Sequence, residues 1–293
     1  MTKKKWLLLA ILIVMVTSLI ILFRPFPNQP WYRRRGYIAH AMGRIDKIKY
    51  TNSLEAFEQS YAKGYRIFEV DFAKTADGVL VGRHSWKEHE YDEYSAENIP
   101  TADTFLNQPT FGYYTALSFA DVLDLAVEYP DIYFVTDTKE TNAEANRILF
   151  AEMIEIARDK GLLDIFRERF IIQFYNEEMY HIVMELLTPE NVLYTAYKLK
   201  PEEYTDAILF CSEYNIPVIT IIHREWTEEL QELADDNGVK TAVHTINKRK
   251  RSQEFFNSGV SLLYSDSLKP EKNLFDRLLN KVRDVRDLIK KAL

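Results

Sequence analysis

Residues 64–71 of the chain read Gly64-Tyr65-Arg66-Ile67-Phe68-Glu69-Val70-Asp71, and the prediction of the fold starts from this stretch. It has the composition of a short buried strand that carries two acids. Glu69 and Asp71 are two residues apart, so on a strand both side chains face the same side. Two carboxylates on one buried face repel each other. A bound cation is the simplest remedy, so the stretch favours a metal site.

Two histidines follow similar apolar runs on either side of this stretch. His40 ends the run Tyr37-Ile38-Ala39-His40, and His84 follows Val81-Gly82-Arg83. Imidazole side chains transfer protons near neutral pH because their ordinary pKa is about 6.5. Two histidines together with two acids therefore indicate metal-assisted acid–base chemistry.

Strand-like and helix-like segments alternate along most of the chain. The candidate strands are Tyr37–His40, Arg66–Phe72, Tyr133–Thr138, Phe170–Tyr175, Val192–Ala196, Pro217–Ile222, Lys240–Ile246 and Leu262–Asp266. Helical patterns separate these strands, which is the element order of an α/β protein with a (β/α)₈ TIM barrel. In that fold the active site lies at the carboxyl ends of the strands. The polar residues at the strand ends are therefore candidates for the catalytic face.

A third acid is among these strand-end residues. Asp137 and Lys139 share one predicted strand face, where they form either an ordinary ion pair or part of a site. With the two earlier acids, Asp137 makes three hard oxygen ligands, a set that suits Mg²⁺ or Ca²⁺. His223 is a candidate for the pocket wall. Tyr175 and Asp266 fit both a catalytic face and an ordinary polar loop.

The amino-terminal segment differs in kind from the rest of the chain. Lys3–Lys5 precede the uncharged stretch Trp6–Phe23, which nearly spans a hydrocarbon core of about 30 Å. Residues 1–23 therefore predict a single transmembrane anchor, with a cleaved signal peptide as the alternative. We expect a single-pass protein of the cell membrane with its catalytic domain outside the cell, although Arg33–Arg35 oppose this orientation.

The remaining residues divide into a tether and one large domain. Residues 24–36 are rich in proline and arginine, and residues 37–293 form the predicted barrel domain, with an insertion over the barrel mouth at about residues 85–117. The net charge of −7 argues against a nucleic-acid partner. A single cysteine, Cys211, excludes an intramolecular disulfide and a zinc–thiolate cluster. The oligomeric state is left open.

A series of motifs resembles those of the glycerophosphodiester phosphodiesterases. The motifs, in chain order, are Ile38-Ala39-His40, Asn52–Phe57, Gly64–Asp71, Thr75–Val81 with His84, Leu117–Leu123, Asp137-Thr138-Lys139, His244–Asn247 and Gly259–Asp266. The resemblance covers about residues 37–267, and residues 38–84 are its most specific part. It implies a (β/α)₈ barrel of the phosphatidylinositol phospholipase C-like superfamily that hydrolyses phosphodiesters with a divalent cation.

The resemblance also implies roles for individual residues. His40 and His84 correspond to the two catalytic histidines of the family, and Lys139 corresponds to its phosphate-binding lysine. The positions of the metal ligands are those of Glu69, Asp71 and Asp137.

Three positions depart from the usual pattern of this family. Ala41 stands where the family usually has Arg, Thr51 where it usually has Glu, and Asp137 where Glu is common. The His-Ala start and the Asp third ligand are similar to the sphingomyelinase D enzymes. A missing arginine removes a bidentate phosphate clamp, for which Arg44 or Arg83 is a candidate replacement.

These features together predict a metal-dependent phosphoric diester hydrolase that uses histidine acid–base catalysis. The expected substrate is a lipid headgroup, a glycerophosphodiester or a glycerol-phosphate polymer, which would give the protein a place in lipid metabolism. Two alternatives stay open. One is a lyase that forms a cyclic phosphate, and the other is a membrane-tethered module that binds anionic polymers without cleaving them.

Overall fold

The strands and helices are given by a computed structural model, which describes residues 30–33, 35–87 and 94–270. The strands are β1 Gly36–Ala39, β2 Ile67–Lys74, β3 Leu80–Gly82, β4 Tyr133–Asp137, β5 Phe170–Phe174, β6 Asn191–Thr195, β7 Val218–Ile222, β8 Lys240–His244 and β9 Leu262–Ser265. The α-helices are α1 Leu54–Lys63, α2 Ala102–Asn107, α3 Phe119–Glu128, α4 Ala143–Asp159, α5 Leu163–Arg169, α6 Glu177–Leu186, α7 Tyr204–Glu213, α8 Glu228–Asp236 and α9 Arg249–Asn257. Short 3₁₀ turns span Trp31–Arg33, His40–Met42, Ala196–Lys198 and Pro201–Glu203.

Eight of these strands pair in parallel and close into a barrel. The order is β1-β2-β4-β5-β6-β7-β8-β9, and β9 pairs with β1 to complete the ring. Helices follow the strands and pack on the outer face of the sheet. A large apolar core lies between the helices and the sheet. The predicted (β/α)₈ barrel is therefore confirmed.

Polar side chains start most of the helices at the expected places. Each such side chain accepts a hydrogen bond from the backbone N–H three residues ahead, which satisfies one of the donors left over at a helix start. The N-cap residues of this kind are Ser53, Thr101, Ser118, Asn142, Asn176 and Thr227.

The interior of the barrel is built in layers. The lower layer takes one apolar residue from each barrel strand, namely Ile38, Ile67, Val135, Ile171, Leu193, Val218, Ala242 and Leu262. Side chains alternate along a strand, so the residue two positions later points inward again, one layer closer to the carboxyl end. That upper layer consists of His40, Glu69, Asp137, Gln173, Thr195, Thr220, His244 and Tyr264. Its polar character is what makes a site at this end of the barrel.

Three described elements are additions to the predicted pattern. Strand β2 runs on past its last barrel partner and pairs there in antiparallel fashion with β3. Helix α2 lies within the predicted insertion, and α5 lies directly before β5. The described part of the insertion packs beside the β2–β3 hairpin, where Trp86, Phe105 and Ala116 surround Val81.

The predicted membrane anchor, residues 1–23, lies outside the described residues, as do most of the predicted tether and residues 271–293 of the predicted barrel domain. Among the helices in the described part of the chain, none has the length and apolarity needed to cross a membrane.

Candidate active site

A pocket of about 190 Å³ opens at the carboxyl ends of the barrel strands. Its floor is the polar upper layer of the barrel, and its walls add three residues from the loops that follow the strands. The loop residues are His84, Lys139 and Tyr197. None of the described residues of the insertion lines this pocket.

Three buried carboxylates meet on one side of the pocket. Glu69 and Asp71 face the same side of β2, and the parallel register of β2 and β4 places Asp71 beside Asp137. The three residues are at most 8% exposed, and one oxygen of each lies within 4.8 Å of the others. Among the described acidic, histidine and cysteine side chains, these three lie close enough together to hold one metal ion.

Burial and mutual repulsion make this group electrostatically costly without a cation. Burial and the charges of Asp71 and Asp137 hold the pKa of Glu69 well above its usual value, although a hydrogen bond from the Ala41 N–H opposes this. Burial also raises the pKa of Asp137, in spite of the nearby charge of Lys139. Hard oxygen donors under such repulsion fit a divalent cation such as Mg²⁺ or Ca²⁺.

Lys139 is the cation that the chain itself supplies to this group. Its Nζ contacts Asp71 Oδ1, lies 3.7 Å from Asp137 Oδ2 and donates to the His84 carbonyl at 3.0 Å. Burial raises the pKa of Asp71, but Lys139 and the two histidines outweigh that effect and lower it to about 2. Burial lowers the pKa of Lys139, but the charges of Asp71 and Asp137 raise it above its usual value.

The backbone at Lys139 differs from the expected strand. Strand β4 ends at Asp137, and Lys139 has a left-handed φ of 56°, so the two residues do not share a strand face as predicted. The turn instead directs Lys139 back over the carboxylates. Its N–H donates to Tyr175 Oη at 3.0 Å, and this hydroxyl in turn donates to Asp137.

Asn52 holds Asp71 in place and was not among the predicted site residues. Its Nδ2 donates to Asp71 Oδ2 at 2.9 Å, and its Oδ1 accepts from the Asp71 N–H at 3.0 Å. The residue is fully buried and has a φ of 46°, a region that Asn tolerates better than most residues. The local sequence does not show that Asn52 is buried, so its polar contacts with Asp71 could not be predicted from it.

Asp266 orients His40. The last residue of β1, Ala39, pairs with β2 on one side and with β9 on the other. His40 follows Ala39 and therefore lies beside the residues that follow its two partners, which are Glu69 and Asp266. His40 Nδ1 lies 2.8 Å from Asp266 Oδ1, while Lys49 and Asn247 bind the other carboxylate oxygen. Burial raises the pKa of Asp266, but its bonds to His40 and Lys49 lower it to about 2. Asp266 is thus ionised and part of the site rather than of an ordinary polar loop.

Tyr50 lies between the two histidines. Its ring centroid is 5.1 Å from that of His40 and 4.4 Å from that of His84. The φ of Tyr50 is 60°, so a left-handed turn brings the ring into this position. No periodic pattern marks this residue in the sequence, which is why it was missed.

Comparisons with known proteins bear on the fold. No protein-family model matches the chain, and no curated protein matches it either. Among solved structures, a glycerophosphodiester phosphodiesterase from Parabacteroides distasonis covers 87% of this chain and 99% of its own, with 18% identity and a TM-score of 0.61. One from Thermotoga maritima covers 84% and 97%, with 15% identity and a TM-score of 0.59. The chain has the glycerophosphodiester phosphodiesterase fold.

A third solved structure shares this fold and contains a bound product. It is a phosphodiesterase from Oleispira antarctica in complex with sn-glycerol-3-phosphate, and it covers 79% of this chain and 92% of its own, with 14% identity and a TM-score of 0.60. The fold agrees with the resemblance that the sequence motifs indicate.

Four of the candidate residues are not part of the pocket lining, namely Asp71, Arg44, Arg83 and His223. Asp71 belongs to the carboxylate cluster. The backbone N–H of Arg44 donates to the Asp266 carbonyl at 2.7 Å. Burial and the charge of the Arg44 side chain lower the pKa of Lys63. Arg83 is buried with its guanidinium 4.8 Å from the Trp86 ring centroid. His223 is exposed beside the mouth, and its Nδ1 lies 3.1 Å from the His244 carbonyl.

Proposed function

We propose that this protein is a metal-dependent phosphoric diester hydrolase that cleaves glycerophosphodiester-like substrates. The observation that carries the proposal is that two histidines, one lysine and two carboxylates line a single pocket, and that Glu69 and Asp137 among them form a buried cluster with a third carboxylate, Asp71. A pure binding module has no need for this combination of proton carriers and metal ligands. The three structural neighbours described above are phosphodiesterases, which supports the same reaction.

Glu69, Asp71 and Asp137 are the residues that would hold the cation, and we propose Mg²⁺ or Ca²⁺. When bound there, a divalent cation supplies Lewis-acid stabilisation of negative charge on the phosphate. The donor set consists of carboxylate oxygens, which these hard cations prefer and which zinc sites in proteins rarely use alone. The buried Asn52 and the Ala41 N–H keep two of the three carboxylates in fixed positions.

The two histidines divide the proton transfers between them. One removes the proton from the attacking oxygen as its bond to phosphorus forms. The other donates a proton to the alkoxide as its bond to phosphorus breaks. His40 is held through Nδ1 by the ionised Asp266, so Nε2 is the nitrogen that it presents for proton transfer. Lys139 lies beside the same pocket and reduces the charge that develops on the phosphate.

The attacking oxygen belongs either to water or to a neighbouring hydroxyl of the substrate. Water gives a hydrolase, and a substrate hydroxyl gives a cyclic phosphate. Phosphorus NMR of the product decides between them. A cyclic product would replace the hydrolase by the lyase, with the same residues in the same roles.

A substrate and metal screen of the detergent-solubilised full chain tests the proposal. The substrates are glycerophosphodiesters, phospholipids with varied headgroups and a glycerol-phosphate polymer, each with Mg²⁺, with Ca²⁺ and with EDTA. We expect turnover of at least one class that stops with EDTA and returns with the cation. The His40→Ala variant is the matched control for contaminating activity. Binding of a substrate without any turnover would favour the binding module instead.

We also propose that residues 1–23 anchor the protein in the cell membrane with the catalytic domain outside. The support is the uncharged stretch Trp6–Phe23 behind Lys3–Lys5. Carbonate extraction of membranes should leave the full chain in the pellet, and removal of residues 1–23 should release it. Protease added to intact cells should digest the barrel domain. Protection of that domain would reverse the orientation.

A further inference from the structure

His244 has a buried ring nitrogen without a hydrogen-bond partner among the described residues. The residue ends β8 and belongs to the polar floor of the pocket. The nitrogen is Nε2, which is buried and bonds to no residue in the described part of the chain. An unsatisfied buried nitrogen costs free energy, so its presence in a pocket calls for a ligand group that completes it.

Several aromatic and polar side chains around His244 contact its ring or hydrogen-bond to one another. Its ring packs against Tyr197 and Tyr264, with ring centroids at 5.8 Å and 6.0 Å. The Tyr264 hydroxyl donates to Gln173 at 3.2 Å, and the Gln173 amide donates to Tyr175 at 3.2 Å. These side chains hold the His244 ring in place but leave its Nε2 for a molecule in the pocket.

The position of His244 separates it from the metal ligands. Around the closed barrel, β8 is four strands away from β4, so His244 lies across the pocket from Asp137. Only β9 separates β8 from β1, which places His244 on the side of His40. A phosphate held between the carboxylates and the histidines would therefore direct one of its ester groups toward His244.

The protonation state of His244 indicates what kind of group it binds. Burial and the charges of His40, His223 and Arg224 lower its pKa to about 4, so the ring is neutral at neutral pH. A neutral imidazole has one donor and one acceptor nitrogen and gives no counter-charge to a phosphate. A hydroxyl group complements it, since a hydroxyl also donates and accepts.

We propose that His244 is a specificity-determining residue that hydrogen-bonds a hydroxyl of the alcohol part of the substrate. The pocket then selects phosphodiesters of polyhydroxy alcohols over phosphodiesters of aliphatic alcohols. This inference rests on the proposed function, because it assumes that the phosphate lies beside the histidines and the carboxylates.

Equilibrium binding to the full chain in detergent with Mg²⁺ tests this inference without turnover. The two probes are sn-glycerol 3-phosphate and propyl phosphate, which differ in their hydroxyls. We expect the wild-type protein to prefer glycerol phosphate by about threefold to tenfold, the usual value of one neutral hydrogen bond. In His244→Phe the ratio of the two dissociation constants should approach one. His244→Gln, which keeps a polar group, should retain part of the preference.

The control and the opposing outcomes separate this inference from the proposed function. His181→Phe, on the distant helix α6, should leave the ratio unchanged. Equal binding of both probes by the wild-type protein overturns the inference, and so does a preference that survives in His244→Phe. His244→Leu replaces that variant if it does not fold. A His244-dependent preference without hydrolysis of any phosphodiester would refute the proposed function and leave the inference standing.

Discussion

The two histidines differ in the groups that hold them. His40 is paired with an ionised carboxylate. The ring of His84 instead packs on the Tyr50 ring, with 4.4 Å between the centroids, and its backbone carbonyl accepts a hydrogen bond from Lys139. A carboxylate partner fixes the tautomer and the ring orientation of His40. The proposed proton transfer therefore depends on Asp266 as well as on the histidines.

Removal of either catalytic histidine should nearly abolish turnover. We expect His40→Ala and His84→Ala to lower kcat by about 10²–10⁴-fold, the usual contribution of one positioned proton transfer. Thermal unfolding should change little in His84→Ala, whereas His40→Ala should also lose part of the stability that the His40–Asp266 pair provides. His181→Ala serves as the control and should keep full activity. Near-normal turnover of either purified pocket variant would remove that histidine from the mechanism.

Substitution of Asp266 should weaken catalysis less than removal of His40. Asp266→Asn keeps the shape of the side chain but loses the charge that holds His40, so we expect kcat to fall by roughly 10²-fold, the low end of the range for a positioned proton transfer. A similar fall in Lys49→Ala alone would indicate that the whole charge cluster, rather than the His40 bond, is responsible.

The same variant has a pH-dependent effect on stability. The pKa of Asp266 is lowered in the folded protein to about 2, so its ionised form stabilises the fold above pH 4 by on the order of 2 kcal/mol. This contribution is lost as the pH falls from about 4 toward 2. Urea unfolding should therefore show the largest difference between wild type and Asp266→Asn near pH 7 and a narrowing difference below pH 4. A difference that does not change with pH would refute this explanation.

At the scale of single elements, the N-cap of a helix can be changed without touching the site. Its contribution to the stability of the fold can therefore be tested separately. At the start of α3, Ser118 Oγ accepts from the Asp121 N–H at 3.2 Å, and Asp121 Oδ2 accepts from the Ser118 N–H at 2.8 Å. Ser118→Ala should lower the free energy of unfolding by about 1 kcal/mol. Ser118→Thr should restore most of it, and kcat should stay unchanged in both. A loss of activity at constant stability would link this cap to the site.

The elements were largely predictable because each barrel strand carries its own signal. An apolar residue such as Val135 points inward, and two positions later comes a polar residue such as Asp137 at the pocket floor. The same spacing of two would also have given Gln173, Thr195 and Thr220, which the motifs did not single out. Helix α5 and the short strand β3 were missed because seven and three residues are too few to show a period.

Residues in turns were harder to predict than residues in strands. Tyr50, Asn52 and Lys139 all have left-handed backbones, with φ between 46° and 60°. Such a turn is set by tertiary contacts, here with His84, Asp71 and Asp137, and not by the local sequence. The carboxylates of the proposed metal site could thus be predicted from the sequence, whereas the residues that hold them in place could not.

At the scale of the whole molecule, the carboxylate cluster links stability to the cation. Three converging acids repel one another in the metal-free protein, and a bound cation relieves that repulsion. A ligand that binds only the folded state adds about 2.7 kcal/mol of stability at a concentration 100-fold above its Kd. For a domain of this size this corresponds to a rise of roughly 5–10 °C in Tm. EDTA should therefore lower Tm in parallel with the loss of activity.

Glu69→Gln separates the repulsion from the binding of the cation. The amide keeps an oxygen for the Ala41 N–H but removes one buried charge, so with EDTA the variant should unfold at the same or a higher Tm than the wild type. Because the pKa of Glu69 is raised in the fold, the metal-free wild type loses stability as the pH rises through that pKa, and the advantage of the variant should grow with pH.

With Mg²⁺ the order of the two Tm values should reverse, since only the wild type is stabilised by the cation. Glu232→Gln, an exposed control on α8, should follow the wild type in both media. A variant that gains as much Tm from the cation as the wild type would show that Glu69 is not a ligand.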